Sequence, residues 1–145
     1  MRQIARLGVV LLMTAAAMAS CGEPPSLVGK YSSQLTDATL QDKFPGTSAP
    51  PGTWNMEFTE YKKVVVDAPD GGGFSLTIKS LKDDRVTFEA TGCKTPDGSD
   101  AGDPVYDIKR DGDSVSFVKV SDACAEKDPE ARLLTIKPWK RVGKG

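Results

Sequence analysis

Three thiols and 20 side-chain carboxylates are the groups in this 145-residue chain whose spacing could carry chemistry, and no histidine accompanies them. Without an imidazole there is no Ser-His-Asp or Cys-His nucleophile system and no His-ligated zinc or haem. The densest acidic run is Asp97-Gly98-Ser99-Asp100-Ala101-Gly102-Asp103. A calcium loop of the EF-hand type needs oxygen ligands at alternating positions, Gly at the sixth and Glu at the twelfth. Counted from Asp97, the fifth position is Ala101, the sixth Gly102 and the twelfth Ile108, so the run reads as a solvated, turn-rich loop. In Asp67-Ala68-Pro69-Asp70-Gly71-Gly72-Gly73 the glycines give backbone freedom; no helix N-terminus is expected after them, so no phosphate cradle forms. Asp83 and Asp84 are adjacent, and neighbours in an extended chain point apart, which removes the convergent pair that glycoside hydrolysis requires. The chain is therefore not expected to be an enzyme: no catalytic residue, metal ligand or cofactor site is assigned.

The first thiol has a different context. Met1 to Arg6 carry two positive charges, and Leu7 to Met18 follow without any charge. That is the charged and apolar order of a secretory signal, and it is shorter than the ~18–20 apolar residues that span a bilayer. Met18-Ala19-Ser20-Cys21 resembles the lipobox of bacterial lipoprotein precursors. The resemblance implies that the Cys21 sulfur receives a diacylglycerol, that the chain is cut before it, and that Cys21 becomes the acylated first residue. It divides the chain into a signal peptide (1–20), a lipidated tether (21–26) and a domain (27–145). It makes the membrane a partner, held by acyl chains on Cys21, because two or three chains on one residue anchor stably where one does not. In that family Asp after the Cys keeps the product in the inner membrane. Gly22 stands here, which implies a cell-envelope location: the outer membrane in a Gram-negative source, otherwise the outer face of the cell membrane. The mature part holds 17 basic against 20 acidic side chains, so neither a polybasic lipid patch nor a nucleic-acid footprint is present.

The elements that carry these groups alternate with period two. Trp54, Met56 and Phe58 share one face, as do Phe74, Leu76 and Ile78, then Val86, Phe88 and Ala90, then Tyr106 and Ile108. One apolar and one wet face is the pattern of antiparallel sheet. Val28 to Ser33, Lys63 to Val66, Val115 to Val120 and Leu133 to Trp139 complete eight candidate strands. In the seventh the apolar parity switches at Val118, which predicts a bulge or burial on both faces. Tight links at Glu60–Lys62, Leu81–Asp84 and Asp111–Asp113 alternate strictly with long ones at Thr36–Gly52, Asp67–Gly73, Gly92–Asp103 and Ser121–Ala131. Asp111-Gly112 is read as the centre of a hairpin turn in which both residues accept positive φ.

Such alternation predicts an all-β, eight-stranded antiparallel up-and-down barrel with at most short helices in its loops, every long link falling at one rim. Cys93 and Cys124 then lie in two long loops at that rim. In an exported chain a Cys93–Cys124 disulfide is expected; it closes some thirty residues and would contribute about 3.7 kcal/mol on the chain-entropy model. The alternative is two free structural thiols.

Leu27-Val28-Gly29-Lys30-Tyr31 at the start and Pro138-Trp139-Lys140-Arg141 at the end make the domain similar to lipocalin-like (calycin) barrels. Those open with Gly-x-Trp and close with a basic residue packed over that ring; Tyr31 stands at the ring position here. The resemblance implies a lid in the long first loop over a cavity mouth. The rival fold is a β-sandwich of immunoglobulin type, which sets a core Trp between two bridged cysteines. Here Trp54 precedes both later cysteines and Trp139 follows them.

Tyr31, Trp54, Met56, Phe58, Phe74, Phe88, Tyr106 and Phe117 fall mostly on inward positions. They either line a pocket for a small hydrophobic ligand, held through the rim of long loops, or fill a solid core. The first makes the chain an anchored carrier. The second makes it a non-catalytic envelope protein whose loops serve interaction or structure.

Overall fold

A computed structural model of the chain describes residues 26–60, 62–90, 94–123 and 129–144, with no side-chain account of 129–131. The expected signal segment and Cys21, Cys93 and Cys124, and with them the expected lipidation and disulfide, lie outside the described residues. The strands are β1 (Gly29–Leu35), β2 (Gly52–Phe58), β3 (Lys63–Asp67), β4 (Gly73–Lys82), β5 (Arg85–Phe88), β6 (Val105–Asp111), β7 (Ser114–Ser121) and β8 (Trp139–Gly143). Each pairs antiparallel with the next, and β8 returns to β1, so the sheet is a closed eight-stranded barrel. This is the architecture that period-two alternation and alternating link lengths predict. Every long connection leaves one rim, and the hairpins and both ends of the described chain share the other.

Two short helices occupy the long-loop rim. Thr36 caps α1 (Asp37–Lys43) by accepting a hydrogen bond from the Thr39 amide at 3.2 Å, and Asp37 sits in the first turn, where a negative charge suits the helix dipole. The second, α2 (Pro129–Ile136), begins on a proline, whose missing N–H and fixed φ suit a first helical position. It overturns the eighth strand expected at Leu133–Trp139, since pairing begins only at Trp139. The reason is visible in two neighbours. Leu133 and Leu134 are both buried, which a strand of a barrel wall open to solvent on its outer face would not arrange, because it sends adjacent side chains to opposite faces.

Three register shifts bend the barrel. Val120 is the extra residue where Val105 pairs Ser121 and Tyr106 pairs Lys119. The parity switch at Val118 has a different cause: Val118 pairs Asp107 in register and is 40% exposed, an apolar residue on the outer face. Val142 is extra between β8 and β1. Lys79 is extra in β4: Ile78 pairs Phe88, Ser80 pairs Thr87 and Leu81 pairs Val86. Paired residues share a face, so Leu81 follows the buried Val86 inward although strict alternation from Ile78 would send it out.

The hairpin turns differ in detail from expectation. Between β6 and β7 the two linking residues are Gly112 and Asp113, and only Gly112 has positive φ (55°). Glycine therefore occupies the first central position, as a II′ turn requires, and the turn is not the Asp111-Gly112 arrangement. Between β4 and β5, Asp83 and Asp84 both hold positive φ (52° and 57°), without any glycine. Left-handed backbone costs a non-glycine residue free energy, and Asp tolerates it better than most. Asp84 has compensation, since its carboxylate lies 2.7 Å from the Arg110 guanidinium. Asp83 is exposed. Asp83→Gly is accordingly expected to raise the unfolding free energy by about 0.5–1 kcal/mol. Asp84→Gly is expected to show no gain, the lost ion pair cancelling the relief. Urea denaturation of the two variants checks this; equal gains would contradict it.

Candidate functional site

The inward side chains of the strands meet in the lumen and fill it. Seven of the eight residues assigned to a possible ligand pocket are buried: Tyr31, Trp54, Met56, Phe58, Phe88, Tyr106 and Phe117 each expose 3% or less. Phe74, the first inward residue of β4 at the long-loop rim, is half-buried against the same core. The Phe58 and Phe117 rings stack with centroids 6.1 Å apart and planes within 2°. They belong to β2 and β7, which β1 and β8 separate around the ring, so the contact spans the lumen rather than running along its wall. Tyr31 meets Phe58 edge-on at 5.9 Å, and Phe88 tilts on Tyr106 at 6.0 Å. Such pairs contribute ~0.5–1.5 kcal/mol each beyond the area they bury. The polar tips find partners: the Trp54 indole N–H donates to the Pro50 carbonyl at 2.9 Å, and the Tyr106 hydroxyl donates to Asp122.

At the long-loop rim, Leu40 of α1 and Leu133 and Leu134 of α2 are buried over the barrel end. The helices meet where the Arg132 guanidinium lies 4.5 Å above the Phe44 ring centroid and donates to the Lys43 carbonyl at 3.3 Å. The Trp139 indole donates to the Leu134 carbonyl at 3.1 Å, fastening α2 to β8. The long first loop thus carries a helix over the barrel end, and its Leu40 is buried against the core.

The hairpin end is built around the start of the domain. Leu27 is 5% exposed, and the Tyr31 hydroxyl donates to its carbonyl at 2.9 Å. Arg141 reaches across from β8, donating to the carbonyls of Ser26 (2.6 Å) and Val28 (2.9 Å) and to the Tyr31 hydroxyl (3.1 Å), with its guanidinium 5.4 Å from the Tyr31 ring centroid. Gly29 sits beneath this latch, where an added Cβ would come within 3.1 Å of the guanidinium. Beside the latch opens a groove of about 270 Å³, walled by Leu27, Val28, Phe58, Ile78 and Leu81, with Glu60 and Lys62 at its lip. Sequence reasoning missed this groove. Its wall depends on the Lys79 bulge, which turns Leu81 inward, and Leu81 stays 45% exposed because nothing in the described barrel covers it. The only advance signal was the apolar Leu81 in what looked like a tight link.

The acidic run does not converge. Asp97 accepts from Thr95 and Ser99 within its own turn, Asp100 pairs with Lys94, and Asp103 pairs with Lys79 at 2.5 Å. Among the described residues no three Cys, Asp or Glu side chains gather as metal ligands, and no helix is long and apolar enough to cross a membrane. Arg110 shares the inward parity of Tyr106 and Ile108, and its ion pair with Asp84 forms at the hairpin end.

No protein family, no curated protein and no solved structure matches the chain.

The carboxylates set the acid side of the stability profile. Hydrogen bonds from Thr95 and Ser99 hold Asp97 down to about 2. The Lys79 hydrogen bond lowers Asp103, and the Arg85 hydrogen bond lowers Asp107. A carboxyl whose folded value is depressed adds stability above its unfolded value near 3.9, and that stability is lost as pH falls through the folded value. No histidine titrates between pH 5 and 8. Thermal unfolding is therefore expected to be level from pH 5 to 8 and to lose stability from about pH 4 down to about 2. A midpoint that moves between pH 5 and 7 would contradict this.

Proposed function

We propose that this chain is a lipid-anchored extracytoplasmic protein whose solid barrel is a non-catalytic scaffold of the cell envelope. Residues 1–20 are a signal peptide, Cys21 carries the acyl chains, and 21–26 tether a lipocalin-like domain. The observation that carries the scaffold reading is the Phe58–Phe117 stack across the lumen, which leaves no room at that level for a ligand. The anchor reading rests on the order of charge, apolar run, small residues and Cys21 in the sequence. Its fit with the fold is directional: the described chain begins at the hairpin end, so a tether there turns α1, α2 and the long loops away from the membrane. Those loops are then the surface offered to a protein partner, with Cys93 and Cys124 bridged between two of them.

A carrier of small hydrophobic ligands is the second reading, supported by the apolar and aromatic character of the eight inward residues; it requires Phe58 and Phe117 to part. The Tyr31–Arg141 packing supports the lipocalin-like kinship on which that reading draws.

Cys21→Ser tests the anchor: the variant is expected to leave the membrane fraction entirely, as uncut or freely soluble protein. A processed form that still sediments with membranes would overturn the reading. Native mass spectrometry of the wild-type protein, gently extracted from its own membrane, separates scaffold from carrier. The scaffold predicts the acylated chain alone, and a stoichiometric small molecule in its spectrum would favour the carrier.

A further inference from the structure

We infer that the groove at the hairpin end is a dock for one acyl chain of the protein's own Cys21, used when the protein is out of the bilayer. The inference rests on the lipid-anchor reading and adds a ligand and a site to it. Three observations lead there. First, the groove is apolar and unfilled: Val28, Ile78 and Leu81 wall about 270 Å³, and Leu81 is 45% exposed while directed inward from the strand. Placing a large apolar side chain open to water is unfavourable, and here a bulge of one residue at Lys79 is what directs it there.

Second, the occupant is delivered to the groove by the chain itself. Ser26 and Leu27 form part of its wall, and Arg141 pins the Ser26 carbonyl at 2.6 Å. Five residue steps separate Ser26 from Cys21. Even fully extended they span at most roughly 17 Å. An acyl chain as long as half the hydrocarbon core of a bilayer measures about 15 Å. With the tether fully extended away from the barrel the acyl chain falls just short of Ser26, so docking requires the tether to double back. Pro24-Pro25 stiffens the half of the tether next to the barrel, and Gly22 leaves the half next to the lipid free to double back.

Third, the size selects a single chain. The groove holds part of one aliphatic chain and not a bundle, and its lip carries one charge of each sign, Glu60 and Lys62, with no cationic cluster for a phosphate head. Because a bilayer buries the entire chain and the groove only part of it, the bilayer wins whenever one is present. The dock therefore acts in aqueous passage, covering one chain that would otherwise drive aggregation, and releases it on insertion.

The test uses the full chain, processed in a bacterium that acylates lipoproteins, with Leu81 replaced by photoreactive benzoylphenylalanine. Glu60, exposed at the groove's lip, is a second labelling site, and Val142, 62% exposed on the outer face of β8, is the control. After dilution from detergent and irradiation, a product of monomer mass joining the lipopeptide to the residue-81 peptide is expected. Its yield should be at least tenfold above the Val142 control and should fall to that level when phosphatidylethanolamine–phosphatidylglycerol vesicles are added. An acylated terminus without this product, or a product joining two copies, overturns the dock and leaves the anchor standing. A terminus that mass spectrometry finds unacylated overturns the anchor, and the dock with it.

Discussion

Closing eight strands into a ring fixes an interior volume that the chain must then fill, and the Phe58–Phe117 contact across that interior is where the requirement is met. Eight strands enclose a space just wide enough for side chains to fill it or for one small ligand to replace them. The residues needed follow from that. β1 contributes Tyr31 and Leu35, β2 contributes Trp54, Met56 and Phe58, β3 contributes Val64 and Val66, and β5 to β7 contribute Val86, Phe88, Tyr106, Ile108 and Phe117. Rings from distant strands touch, so the wall cannot deform locally without disturbing the opposite side. The two open ends have different solutions: helices with buried leucines at the long-loop rim, and the chain's own Leu27 at the other.

Closure is thinnest at the last strand. β8 makes two residue pairs with β7 and three with β1, whereas β1 and β2 share seven. Side chains compensate for the missing ladder. Trp139 is fully buried and bonded to α2, and Arg141 ties three groups of the first strand and its approach to the last. A guanidinium suits this position because its Nη2, at the end of a long arm, reaches two carbonyls and a hydroxyl while the planar group lies near the aromatic ring. The seam that closes the barrel is thus also the seam that holds residues 26–28, ahead of the first strand.

Much of this was legible in the residues. Alternation is a local signal, and it located seven strands because each buries one face. The tight links were visible through their shortness, and the rim through the long links between them. What escaped was decided by tertiary contact. Leu133-Leu134-Thr135-Ile136 is too short an apolar run to separate helix from strand, and only the barrel end that buries both leucines decides it. The groove escaped because a bulge changes which side chains face inward without leaving a mark in composition, so Leu81 read as part of a turn. Whether the inward aromatics line a pocket or fill it depends on distances between strands that alternation does not encode. The resemblance implied a basic residue over the Tyr31 ring without choosing between Lys140 and Arg141; Arg141 lies there, and its bonds to Ser26 and Val28 were not foreseen.

The central claim is that the lumen is solid, and xenon tests it most directly, since pressurised xenon enters dry apolar voids inside proteins. In crystals of the domain under xenon, no xenon density is expected among Tyr31, Phe58, Phe88 and Phe117, whatever binds in the hairpin-end groove. A xenon atom seated between the Phe58 and Phe117 rings, or an ordered site elsewhere along the barrel axis, would contradict the account.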